Sequence, residues 1–168
     1  ATASMDQRDG LVTELAEEMG INVVQRPMNE IAIYTDSGVP LLDRTARAVS
    51  FEPSTILDSG TAGAAVYVDG VPVAGETATM PLRSGRISGL ATVRDGLAIQ
   101  YQAQIDETAR GLVASFAESD QTGSGAPDLA GLFTWSGGPA IPPDGVVVNG
   151  LADSLKVNAS VDPAQGGT

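Results

Sequence analysis

Between Ser88 and Ser119 the sequence has no proline, and Leu90, Val93, Leu97, Tyr101, Ile105, Ala109, Leu112 and Phe116 recur at steps of three and four. That spacing is one face of an α-helix and predicts a long helical segment over residues 84–120. At 1.5 Å per residue the proline-free stretch would run roughly 45 Å, well beyond the usual globular helix. An element of that length is expected to act as a scaffold. A second, shorter helical pattern covers residues 4–20, with Val12, Leu15, Ala16 and Met19 on one stripe and Glu14, Glu17 and Glu18 off it. Ser4 or Asp6 is the expected N-cap, and Gly20 the stop signal.

The segment between the helices has a different period. Ile21 to Gln25, Glu30 to Thr35, Val39 to Asp43, Arg47 to Phe51, Ala65 to Val68 and Val71 to Val73 are short, β-branched and roughly alternating, and read as strands. Asp36-Ser37-Gly38 and Asp69-Gly70 are hairpin signals, because Asp and Gly tolerate the positive φ of a tight turn. Pro72 places its strand at a sheet edge. Glu52 to Gly63 reads as a loop, and Pro81 with Gly85 marks the entrance to the long helix. The pattern thus predicts an α+β protein: long amphipathic helices at 4–20 and 84–120, with a small antiparallel β domain inserted at 21–82.

After Ser119 the texture shifts to Gly and Pro, so 121–168 reads as a linker followed by the start of a further, truncated β region. Gly123-Ser124-Gly125 is expected to be flexible. Leu132, Phe133 and Trp135 are costly to leave in water and are expected to dock on a neighbour. Gly145 to Gly150 and Leu155 to Val161 look like strand material, and the last residues look disordered or cut. The first residue is not methionine, and the whole reads as an excised fragment.

Composition then removes classes of function. With 21 acidic and 9 basic side chains the formal net charge is −12, a field that repels phosphate backbones and anionic membranes. No nucleic acid and no membrane are expected as partners. There is no cysteine and no histidine, which removes disulfides, thiolate and imidazole metal ligands, cysteine nucleophiles and histidine acid–base chemistry. No apolar run is long enough to span a bilayer, and the N-terminus lacks the basic and apolar regions of a secretory signal.

Candidate chemistry is sparse. Glu14, Glu17 and Glu18 could form a carboxylate site, but acidic residues on the outer face of an amphipathic helix are ordinarily only solvated. Asp6, Arg8 and Asp9, and Arg94 with Asp95, fit local ion pairs. Gly123-Ser124-Gly125 lacks the Lys and Ser/Thr of a phosphate loop, and Asn158-Ala159-Ser160 matches a glycosylation triplet that arises often by chance. Tyr34, Tyr67 and Tyr101 sit at packing positions. No catalytic, cofactor-binding or metal-binding residue is assigned, and no cofactor is expected.

Two segments bear a family resemblance. DQRDGLVTELAEEMGINV, Asp6 to Val23, resembles the motif by which a helix leads into a β domain in flagellar hook-associated proteins of the first kind, the hook-filament junction proteins. RSGRISGLATVRDGL, Arg83 to Leu97, is similar to the sequence that opens the returning helix in that family, and LKVNASVDPAQGG, Leu155 to Gly167, resembles a later strand-to-loop region. The motifs occur in the family's order, with a β insertion of suitable length between them. ESDQTGSGAPDLAGLFTW, Glu118 to Trp135, departs from the family's Asn-rich pattern and suggests a divergent branch.

The resemblance implies a structural, non-enzymatic subunit of the bacterial flagellum that joins hook to filament. It would lie outside the cell, exported by the flagellar apparatus with the help of an export chaperone. Its partners would be copies of itself and neighbouring hook and filament proteins. Assembly would run through terminal helices missing from this piece, which is therefore expected to be a soluble monomer containing part of a helical rod domain. A secreted carbohydrate-active or proteolytic enzyme would need convergent carboxylates or a Ser/Lys pair. A secreted or surface-exposed, adhesin-like binding module is the alternative reading, since acidic β domains with exposed aromatics also serve binding.

Overall fold

The computed structural model describes residues 2–54 and 60–167; the part of the expected Glu52 to Gly63 loop at 55–59 lies outside the described residues. The protein forms two compact units, Ala1–Ala98 and Ile99–Thr168. Helices and small antiparallel sheets occur together, an α+β arrangement.

In the first unit, α1 spans Thr2–Glu18. The two residues expected as caps, Ser4 and Asp6, lie inside it, so neither caps its start. Gly20 does follow the helix, but its φ is not positive. What fixes a glycine there is space: a Cβ would collide with the Asp36 carboxylate and the Ser84 hydroxyl.

Strands β1 (Ile21–Gln25), β2 (Ile31–Thr35), β3 (Pro40–Asp43) and β4 (Thr45–Ala46) form one sheet in the order β1-β2-β3-β4. All its pairings are antiparallel. A second sheet, β5 (Val49–Phe51), β6 (Val66–Val68) and β7 (Val71–Ala74), has the order β5-β6-β7. Asp69 at φ 46° and Gly70 at φ 78° make the turn from β6 to β7, and the proline-bearing strand is indeed at the edge.

The core of this unit joins Met19, just past α1, to Ile33, Val39 and Leu41 of the first sheet region, to Val68 and Val73 of the second, and to Leu82. Each full burial contributes about 1.5–3 kcal/mol. Thr35 is also fully buried, and its hydroxyl accepts from the Val39 amide at 2.9 Å, so the polar atom is not left unpaired. Helix α2 (Arg86–Thr92) sets Ile87 and Ala91 against this core and passes through a π turn at Val93–Leu97 into α3 (Ala98–Ser115). One helical path is therefore long; α1 is 17 residues.

In the second unit, α3 ends at Ser115, short of the expected residue 120. The returning backbone uses the next polar groups: the Leu132 amide donates to the Phe116 carbonyl at 3.3 Å, and Glu118 and Leu129 exchange bonds of 2.8 and 3.0 Å. Glu118 and Leu129 thus pair as an isolated antiparallel bridge, and Phe133 meets Phe116 edge-on with ring centroids 5.4 Å apart. Strands β8 (Phe133–Thr134) and β9 (Lys156–Val157) pair antiparallel around a short helix α4 (Leu151–Ser154).

Four expectations for this region need correction. Residues 145–150 are not a strand: Gly145 and Gly150 take φ of 71° and 76° and turn the backbone, and α4 starts at once. Only Lys156–Val157 of the Leu155 to Val161 stretch is strand, because the Asn158 side chain accepts from the Ser160 amide and starts a 3₁₀ turn at Ala159–Val161. The C-terminal residues make another such turn at Pro163–Gln165, where the Asp162 side chain accepts from the Ala164 amide. The Gly-Ser-Gly segment is also organised, around Asp120, whose carboxylate accepts from the Thr122, Gly125 and Ala126 amides and the Thr122 and Ser124 hydroxyls.

Candidate functional site

The positions that stand out are apolar side chains left in water. In the first unit α2 has two sides. Ile87 and Ala91 pack inward, whereas Leu90 is 58% exposed and Val93 of the π turn is also exposed. Beside them β5 presents Val49 and Phe51 outward. Together with Val66 and Ile87 these side chains line an open apolar groove of about 600 Å³.

The base of α2 is fixed by a clasp. The Asp36 carboxylate accepts from the Arg83 amide at 3.0 Å and the Ser84 hydroxyl at 3.0 Å, while the Gly20 amide donates to the Ser84 carbonyl at 2.9 Å. The end of α1, the β2–β3 turn and the start of α2 therefore meet at one point. Arg86 adds a 3.0 Å ion pair to Glu18, exposed and worth little by itself. Further along, Arg94 pairs with Asp95 at 2.6 Å and donates to the Ala64 carbonyl at 2.8 Å, and Asp95 accepts from the Gly63 amide at 2.9 Å. The Arg94 hydrogen bond, with help from Gly63 and against partial burial, holds the Asp95 carboxyl below its ordinary value.

In the second unit α3 is also two-sided. Asp106, Ala109 and Val113 are buried, while Tyr101 is 60% and Ile105 56% exposed, with Leu112 and Phe116 exposed beyond them. Of the predicted stripe only Ala109 is buried. The face that the periodicity marks as core is thus mainly outward, and the inward face is the neighbouring one. Tyr101, expected to pack, is exposed.

The inward face holds a carboxylate. Asp106 is 1% exposed, and it accepts from the Gly150 amide at 2.9 Å, the Ala152 amide at 2.8 Å and the Gln102 side chain at 3.2 Å. Its two oxygens thereby hold the Gly150 amide just before α4 and the Ala152 amide in its first turn, much as a capping residue would. The sequence around Asp106 does not signal this, because its two backbone amide partners lie more than forty positions away.

The other candidates take structural places. Glu14 and Glu17 are exposed on α1. Arg8 pairs with Asp9 at 2.7 Å and donates to the Asn29 carbonyl at 3.0 Å. Asn158 is half-buried, and its side-chain amide donates to the Ala130 carbonyl at 3.1 Å. Tyr34 is half-buried and Tyr67 lies near the surface. Trp135 is half-buried, with its indole N–H donating to the Ala140 carbonyl at 2.8 Å. Among the described residues no group of three or more acidic, His or Cys side chains could hold a metal ion, and no helix is long and apolar enough to cross a membrane.

What the arrangement offers is packing surface along helices. The family model described as the flagellar hook-associated protein FlgK helical domain matches residues 1–132. The protein belongs to this family. Comparison with curated proteins and with solved structures gave no match. The FlgK helical-domain match takes in all of the first unit and α3, and so includes both groups of exposed apolar side chains. It gives the protein a flagellar hook-associated, structural role, in an appendage outside the cell.

Proposed function

We propose that this protein is part of a subunit that joins hook to filament, and that it works by packing against other helices, without catalysis. Residues 4–20 and 84–120 would contribute to a helical rod, and residues 21–82 would form the β domain set outside it. The observation that carries the reading is the row of exposed apolar side chains on the helices, Leu90 and Val93 in the first unit and Tyr101, Ile105 and Leu112 in the second. Leaving such side chains in water forfeits the stabilisation that their burial would supply, so a helix that repeats them every three or four residues is suited to a helical partner. Partners of that kind are other helices of the full-length protein, copies of it, and neighbouring hook and filament subunits. Export by the flagellar apparatus with a dedicated chaperone belongs to the same reading, as does a monomeric state for the isolated piece.

The test is electron microscopy of cells lacking the full-length gene, with an assay for flagellin in the medium. Complete hooks without filaments, and flagellin lost to the medium, are expected. Normal filaments on the deletion strain would overturn the junction role and favour a surface-binding module.

A further inference from the structure

The sequence has four asparagines, and only Asn149 is followed by glycine. Asn-Gly is chemically weak because no side chain on the glycine hinders its nitrogen from reaching the asparagine Cγ. Asn149 is also exposed, so neither burial nor a bulky neighbour shields it. We infer that Asn149-Gly150 is a latent deamidation site held inert by Asp106.

The reaction begins when the Gly150 nitrogen gives its proton to solvent and attacks Asn149 Cγ. The new N–Cγ bond closes a succinimide ring as the Asn149 Cγ–Nδ2 bond breaks, Nδ2 takes a proton back from solvent, and ammonia leaves. Water then opens the ring at either carbonyl, leaving aspartate or isoaspartate at position 149. No oxidant or reductant is involved.

Two features oppose the first step. The Gly150 N–H is committed to a buried carboxylate, the Asp106 oxygen 2.9 Å away. Removing that proton would create an anion beside an existing negative charge and would break the bond that holds α4 in place. The second feature is the turn. The Leu151 amide donates to the Val148 carbonyl at 3.2 Å, Gly150 has φ 76° and ψ 12°, and Asn149 does not have positive φ. These define a type II turn, in which the first central residue has ψ of about +120°. Ring closure needs the opposite sign, so the peptide must rotate before it can react. Loss of the Asp106 contact removes the first restraint, and opening of the Val148–Leu151 turn removes the second. The product would then add a carboxylate near Asp106, and isoaspartate would lengthen the backbone within the turn, so the first event works against re-formation of the contact.

The test is incubation of the 168-residue protein in mildly alkaline buffer, followed by proteolysis and mass spectrometry of the peptide containing Asn149. The folded protein is expected to deamidate there at least about tenfold more slowly than the same protein in urea, since reaction must wait for local opening. Equal rates would overturn the inference. In Asp106→Ala, no side-chain oxygen remains to accept from the Gly150 amide, and deamidation at Asn149 is expected to accelerate while the circular dichroism stays native. A natively folded Asp106→Ala variant as slow as the wild type would remove Asp106 from the explanation. Should that variant not fold, wild-type rates across sub-denaturing urea replace it: deamidation must rise in step with hydrogen exchange at the Gly150 amide, and a rate indifferent to that exchange would overturn the inference.

Discussion

Gly85 lies so close to Met19 that a Cβ built on it would stand 2.5 Å from the Met19 Cα. The contact lies where α1 ends and α2 begins, beside the Asp36 clasp, and Gly85 also has φ 90°. Backbone approach and backbone conformation both require glycine at this position.

Gly85→Ala is therefore expected to destabilise the protein by about 3 kcal/mol or more, from strain at positive φ together with a clash that no side-chain rotation relieves. Urea unfolding followed by circular dichroism measures it. A loss below about 1 kcal/mol would mean that the two backbones separate easily there.

Gly89, one turn further along α2, is the contrasting case. A Cβ there would meet nothing within 4 Å, and a helical glycine costs about 0.8–1 kcal/mol relative to alanine. Gly89→Ala should raise the urea midpoint by an amount corresponding to about 0.5–1 kcal/mol. Because the residue is exposed beside Leu90, the same substitution becomes informative in the assembled flagellum, where a loss of filament attachment despite greater stability would show that a partner helix needs the space.

Much of this fold is legible locally, and the failures have a common cause. The alternation from Ile21 to Gln25 predicts β1, and the strand is found there, because alternation and flanking turns are both short-range signals. Asp69-Gly70 is legible for the same reason: the turn requires positive φ, which those two residue types accept. The region after residue 119 is not, because distant groups decide its conformation. Val146, Val147 and Val148 look like a strand, yet among the described residues no strand pairs with them, and Asp106 draws the Gly150 and Ala152 amides into a helical turn. The stripe on the long helix is correct as a period and misleading as a core. Periodicity shows that a face is apolar and cannot say whether its partner lies in the same unit.

The Arg94–Asp95 contact makes a pH prediction. The Asp95 carboxyl is held below its ordinary value of 3.8, chiefly by the Arg94 hydrogen bond and partly by the Gly63 amide. A carboxyl with a depressed folded-state pKa contributes stability that is fully present above the unfolded value and is lost as pH falls through the folded one. Asp95→Asn should therefore be less stable than wild type at pH 7, by about 1–2 kcal/mol. That gap should narrow as the pH falls below 3.8. Urea midpoints for both proteins at neutral and acid pH measure it; a gap that stays constant would show that the ion pair does not link Asp95 protonation to folding.

The exposed helix faces separate folding from assembly. Leu90 in the first unit and Ile105 in the second are both more than half exposed, so Leu90→Gln and Ile105→Gln remove little burial and keep good helix propensity. Each should change the stability of the isolated protein by no more than about 0.5 kcal/mol. In cells producing the full-length protein with either substitution, filament attachment and swimming should nonetheless fall, because the apolar contact would be lost only on assembly. Gln104→Lys, at an exposed polar position on α3, provides the control for surface change alone and should swim normally. If the Gln variants swim as well as the control, these faces are not where the subunit packs. If instead they unfold the isolated protein, the side chains stabilise the unit itself, and the motility defect would reflect loss of folded protein and not a broken interface.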